Sequence, residues 1–262
     1  MLFHKKLPFF LGLILVIVFI NPLTKAVAAD NTVYQLKVYH YKTAAQKQVI
    51  EDYLKDIFVP YLHKGGISKI GVFKTLEADT ADRRIYVLIP FKSLKSMDQF
   101  SESVLNEIAA AKNSPYATAA FDKPPYTRLE SIVMNAFYKM PSPAVPALTA
   151  PKEERIYELR SYESATEALF INKVKMFNTG DEVGLFNRLG FNAVFYASVI
   201  AGAKMPNLMY MTTFNSKADR DKHWEAFGAD AYWKELSAKP EYQHNVSHAD
   251  IIFLQPANYS DF

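Results

Sequence analysis

The sequence predicts an α+β protein in which two tandem βαββαβ modules pack sheet to sheet and close into one intramolecular α/β barrel. Three observations lead there. RIYELRSY at 155–162 restates VYQLKVYHY at 33–41: Tyr157 answers Tyr34, Leu159 answers Leu36 and Arg160 answers Lys37 at one constant offset. A proline-rich stretch, KMPSPAVPALTAPKEE at 139–154, separates the two copies, and proline fixes φ and extends the residue before it. Each half then shows the same order of period-2 and period-3.6 hydrophobic patterns, the mark of a duplicated ferredoxin-like unit. One such unit covers a single face of its four-stranded sheet with helices, so the open face needs a partner, and a second copy supplies it.

In the first half, Val33 to Tyr41 alternates as a strand, and Thr43 caps a helix to about Tyr61 that carries Val49, Ile50, Tyr53, Leu54 and Ile57 at helical spacing. Gly65-Gly66 ends it. Strands follow at 67–76 and 84–91, split by the polar ADTADR turn. Ser93 caps a second helix with Leu94, Met97, Phe100, Val104 and Ile108, a proline-containing helical stretch comes next, and 127–137 reads as the last strand. In the second half the strands fall at 155–162, 191–201, 207–214 and 246–254. A helical stretch at 166–189 breaks near Gly180-Asp181 and ends at Gly190. Ser216 caps another with Trp224 and Phe227, and a short helix surrounds Trp233.

The start of the chain reads differently. MLFHKK is basic, residues 7–20 are apolar apart from Pro8 and Gly12, and Ala26-Val27-Ala28 and Val27-Ala28-Ala29 match small-x-small cleavage sites. This is the layout of a secretory signal peptide over residues 1–29, and the run is too short for a spanning helix. The first module is then expected at 30–138, the linker at 139–154 and the second module at 155–262, in an exported protein, periplasmic or secreted. Removing Lys5, Lys6 and Lys25 leaves 27 basic side chains against 27 acidic ones. A balanced chain offers no electrostatic footprint for nucleic acid. There are no cysteines, which excludes disulfides, thiol catalysis and zinc–thiolate sites. That absence leans towards a bacterial exported protein, since secreted eukaryotic domains of this size often carry disulfides.

The second copy resembles the NIPSNAP family. The resemblance rests on the YELR-x-Y strand, Gly190, and NLMYMTTFNSKADRDKHWEAFGADAYW at 207–233, with Asn207, Tyr210, Phe214, Ser216, Arg220, Trp224, Asp230 and Trp233 in place. The first copy matches loosely and lacks both tryptophans. The resemblance implies membership of the dimeric α/β-barrel superfamily, whose members pair two ferredoxin-like modules around a cavity and include small monooxygenases and haem-degrading enzymes. It implies a fold and not one reaction.

Strand parity sorts the candidate site residues. Glu158, Arg160 and Tyr162 share one face of their strand; His248 and Asp250 share a face of the last strand, its neighbour in the βαββαβ sheet. Turned into the barrel, Arg160 would fork onto a carboxylate, while His248 beside Asp250 would serve as a general base, with Tyr162 completing a catalytic set. Gln35, Lys37, Tyr39, Arg128 and Glu130 are the first-module counterparts. The competing reading makes Glu158–Arg160 a structural ion pair. Glu158, Arg160, Asn207, Trp224 and Trp233 form the candidate ligand-binding set; for the two tryptophans, core packing competes with ligand stacking. His40 and His63 read as surface or capping residues. His244-x3-His248 has metal spacing only on a helix; across a strand entry the two lie about 13 Å apart, so no metal is expected. No GxSxG, P-loop or GxGxxG motif is present, and nothing calls for a cofactor. Three functions remain: a protein holding a small, anionic or aromatic ligand in the barrel; a cofactor-independent monooxygenase or isomerase; or an assembly protein whose copies associate through sheet edges, as a homo-oligomer.

Overall fold

In the computed structural model, residues 31–76 and 82–262 are described; the expected signal peptide lies outside them. Eight strands form one closed antiparallel barrel. The first module contributes β1 (Val33–Tyr41), β2 (Gly71–Thr75), β3 (Arg83–Phe91) and β4 (Arg128–Ala136), and the second β5 (Ile156–Glu163), β6 (Phe195–Ala201), β7 (Asn207–Phe214) and β8 (His248–Pro256). Around the barrel the order is β1-β3-β2-β8-β5-β7-β6-β4, so the modules join where β2 meets β8 and where β4 meets β6. The fold class read from the sequence is the one seen.

Helices lie outside. In the first module α1 (Ala44–Tyr53) and α2 (Val59–Lys64) are joined by a π turn at Leu54–Phe58, where the Val59 amide reaches back to the Leu54 carbonyl. Pro60 follows it; a proline at this place lacks the amide that a regular helix would use. Gly66 takes a positive φ of 79° and turns the chain out of α2. α3 spans Leu94–Ala110 behind a Ser93 capping box. The second module has α4 (Glu167–Asn178), α5 (Glu182–Arg188), α6 (Lys217–Ala229) and α7 (Ala231–Ala238). α4 and α5 are the helix expected to break near Gly180, and Gly190, with φ 74°, closes α5.

Three expectations need correction. The stretch after α3 is a series of turns and not a helix, because Pro115, Pro124 and Pro125 interrupt it. β2 starts at Gly71, past Lys69 at φ 60°, and β6 starts at Phe195, past Asn192 at φ 44°; a left-handed residue cannot continue a strand.

The barrel interior is packed at one end. Tyr34, Leu36, Phe73, Tyr157, Leu159 and Phe195 are fully buried there, with Tyr34 on Phe195 at 5.2 Å and Phe73 on Tyr157 at 5.1 Å between ring centroids. Linker residue Leu148 and the Phe262 ring close that end. No described helix is long and apolar enough to cross a membrane. Among the described residues every strand has two neighbours, so the barrel offers no free sheet edge. Association through sheet edges therefore has nothing to pair with.

Candidate functional site at the open end of the barrel

The opposite end of the barrel is not filled. A cavity of about 320 Å³ opens there, shared between the modules. Register decides which side chains line it. Val38 on β1 faces Tyr86 on β3 and Glu130 on β4, while Asp250 on β8 faces Ser161 on β5. Directly opposed residues of an antiparallel pair share a face. The floor is apolar, with Val38, Tyr86, Ile132, Val199, Met209 and Ile252. Above it sit Ser161 and Asn207, and the rim carries Arg84, Arg128, Glu130, Lys204 and Asp250.

Asn207 is 2% exposed. Its Nδ2 donates to Ser161 Oγ at 2.8 Å, and its Oδ1 is buried without a partner. A buried acceptor left without a donor is costly, on the order of 1–3 kcal/mol.

The rim charges are paired. Lys204 Nζ lies 2.5 Å from Asp250 and 3.6 Å from Glu163, and His248 Nε2 lies 3.1 Å from Asp250. Burial alone would raise the Asp250 carboxyl, but the hydrogen bonds from Lys204 and His248 outweigh it and hold the group below its ordinary value. Glu163, His248 and Asp250 together offer three metal-type donor atoms. The Lys204 ammonium already serves as the cation between the two carboxylates. On the first-module side Arg84 pairs with Asp82, and Arg128 Nε reaches Glu130 at 3.0 Å. His40 is buried at 7%, not at the surface as expected, with Nδ1 2.6 Å from Asp82 and Nε2 3.3 Å from Glu130.

The remaining sequence candidates lie elsewhere. Glu158, Arg160 and Tyr162 point outward, under the helices, because Tyr157, Leu159 and Ser161 take the inner face of β5. This corrects the expectation that the charged row turns into the barrel beside His248 and Asp250, and it separates Tyr162 from both. Glu158, fully buried, accepts from Arg160 Nε at 2.6 Å, from Arg220 Nε at 2.7 Å and Nη2 at 2.9 Å, and from Trp224 Nε1 at 2.9 Å. The Arg160 guanidinium lies 3.7 Å from the centre of the Trp224 ring and donates to Tyr162 Oη at 2.7 Å, which in turn meets Tyr210 Oη at 3.0 Å. Burial would raise the Glu158 carboxyl, yet the Arg220 hydrogen bonds and the Arg160 charge take it below its ordinary value. Trp224 and Trp233 pack on Phe186, Phe191 and Phe227, the last 4.4 Å from Trp233. Every polar atom of Glu158 is thus matched from within, and the cluster ties β5 to α6. Asp230 caps α7 by accepting from the Tyr232 and Trp233 amides, and it pairs with Arg188.

Of the sequence candidates, the open end brings together Asn207, Asp250 and His248 with the first-module counterparts Arg128 and Glu130. Ser161, Glu163 and Lys204 were missed. For Ser161 and Glu163 the signal was available: they face Asp250 and His248 in the β5–β8 register. Lys204 sits in the loop after β6 and carried none.

The architecture defines the class: a single-chain α/β barrel made of two ferredoxin-like modules. The NIPSNAP family profile matches residues 157–261, within the second module. No curated protein matches the sequence. Among solved structures, a provisionally assigned monooxygenase of Lactobacillus acidophilus superposes with a TM-score of 0.54 at 13% identity, covering 86% of this chain and 94% of that one. A second provisionally assigned monooxygenase, from Fusobacterium nucleatum, gives 0.52 at 11%, covering 86% and 92%. An anthrone oxidase-like protein gives 0.52 at 10%, covering 88% and 93%. At these identities the likeness is one of fold.

Proposed function

We propose that the protein binds a small molecule in the open end of the barrel, and that it does so after export. The observation that carries the binding is the Asn207 Oδ1, buried and without a donor in the wall of a cavity about 320 Å³ in volume. Ligand sites of this kind are mostly apolar with a few placed polar groups, and roughly 300–1,000 Å³ in size. The ligand class follows from the lining. An apolar body fits against Val38, Ile132, Val199, Met209 and Ile252. One N–H or O–H of the ligand meets Asn207. Because Arg84, Arg128 and Lys204 each have an acidic partner, the rim favours a neutral or zwitterionic head over a net anion. The basic, apolar and small-residue segments at the start of the chain support export.

The enzyme reading keeps one specific support, the His248–Asp250 contact of 3.1 Å at the rim. It would use His248 as a base oriented by Asp250, without Tyr162.

Native mass spectrometry of the protein purified from its own host tests the binding. The wild type is expected to carry an added mass that Asn207→Leu loses, with both proteins melting within a few degrees of each other. An added mass equal in both proteins, or none in either, would overturn the assignment.

A further inference from the structure

The two modules repeat one framework, and comparing them position by position exposes a second site. Aligned on β1 and β5, Gln35 stands where Glu158 does, Lys37 where Arg160 does and Tyr39 where Tyr162 does. Aligned on the helix caps Ser93 and Ser216, Met97 stands at the Arg220 position, Ser101 at Trp224 and Val104 at Phe227. The second module fills the space between sheet and helix with an acid, two arginines and an indole. The first keeps the cation alone. It has no carboxylate to pair with it and no indole to lie over it.

The structure shows the consequence. A cavity of about 330 Å³ lies between β1 and α3, with Lys37, Phe58, Ser101, Val104 and Tyr116 in its wall. Leu105, 66% exposed, stands at its edge. Among the described residues Lys37 makes no ion pair and no hydrogen bond, and its ammonium lies 5.8 Å from the centre of the Phe58 ring. Burial lowers its pKa, with no acid opposing the fall. Tyr53 and Tyr116 stack at 3.8 Å and 7°, and Tyr39 meets Tyr116 edge-on at 6.4 Å, so the wall is aromatic and rigid. An unpaired cation at an apolar, aromatic wall is a costly arrangement that a bound anion relieves.

We infer that the first module binds an aryl carboxylate between β1 and α3, its carboxylate on Lys37 in the role of Glu158 and its ring over Ser101 in the role of Trp224. The second module is the template for the complex: Glu158 against Arg160 at 2.6 Å, with the Trp224 ring on the guanidinium at 3.7 Å. An indole bearing a short acid side chain reproduces both elements in one molecule. This site is separate from the open end of the barrel, since β1 presents Val38 inward and Lys37 outward.

Isothermal titration with indole-3-propionate and its neutral amide tests the inference. The acid is expected to bind at least tenfold more tightly than the amide. Lys37→Met should remove that difference, and Lys37→Arg should keep it. Ser101→Trp, which rebuilds the ring of the second module, should block both ligands while leaving the melting temperature equal or higher. Equal affinity for acid and amide in the wild type would overturn the inference. So would undiminished binding to Ser101→Trp, or binding lost in Asn207→Leu but kept in Ser101→Trp, which would place the ligand at the barrel mouth. If Lys37→Met does not fold, Ser101→Trp decides alone.

Discussion

Glu158→Gln is the sharpest test of how the second module is held together. The substitution keeps shape and volume but removes the charge that two guanidiniums share. Arg160 and Arg220 are both largely buried, at 10% and 16% side-chain exposure, and each donates to this one carboxylate. Removing one partner of a buried ion pair costs roughly 3–5 kcal/mol, because the other charge stays behind without compensation. Two features pull the figure to the lower end. A glutamine oxygen still accepts one hydrogen bond, and the Arg220 head touches solvent and Asp221. We expect a loss of about 3 kcal/mol at pH 7. For a chain of this size that is a fall in melting temperature of about 6–12 °C, and urea unfolding should show a lower midpoint with an unchanged slope. The pH dependence supplies the sign. Glu158 sits below its ordinary value of 4.5 in the folded protein, so its contribution is complete above that value and is lost as pH falls through the folded pKa. The gap between wild type and variant should therefore be constant from pH 7 down to about 5 and narrow below about 4. A loss under about 1 kcal/mol, or a gap that ignores acid, would refute the shared-carboxylate network.

Two further outcomes follow from groups of opposite kind. Tyr34→Phe removes a hydroxyl that is buried in the packed end of the barrel without a hydrogen-bond partner; stability should stay within about 1 kcal/mol or rise, and a clear loss in urea unfolding would mean the hydroxyl is satisfied after all. Lys204→Met should raise the pKa of the Asp250 carboxyl, since burial already pushes it up and only the His248 contact remains to oppose that; a carboxyl-carbon NMR titration with an unmoved midpoint would show that Lys204 does not hold it.

The duplication, the strand order within each module and the closure into a barrel were legible because each rests on a pattern repeated along the chain. The repeat of YQLKVY as YELRSY needs only comparison, and the linker prolines need only counting. Which face of β5 looks inward was not legible, and the reason is physical. Period-2 alternation separates a wet face from a dry one, but in a barrel wrapped by helices both faces of a strand are dry. Ile156 to Ser161 are all buried, so Glu158 and Arg160 announce an alternation without saying which side of it is the cavity. Charge suggested the cavity; the paired partners Arg220 and Trp224, sixty residues further on, decided for the helix layer. The rim failed for a related reason. Asp250 and Asn207 are strand residues with fixed parity, whereas Lys204 reaches Asp250 from a loop, where no periodicity applies.

The same asymmetry explains why the chain writes its first strand twice and then lets the copies diverge. At the packed end the inner faces of β1 and β5 carry the same residues, Tyr34 with Tyr157 and Leu36 with Leu159, all fully buried, while at the open end Val38 answers Ser161. The outer faces serve separate helix layers, so each is free to change without disturbing the other. In the second module the outer row is a closed ion network with its own aromatic cover. In the first, glutamine stands in place of glutamate and serine in place of tryptophan, so the counter-charge and the cover are both absent beside the cation. Loss of packing alone would leave an apolar hole for water to avoid or a methyl group to fill. A retained lysine in that hole is what turns a packing defect into a site with a preferred charge, and Ser101→Trp is the substitution that distinguishes the two.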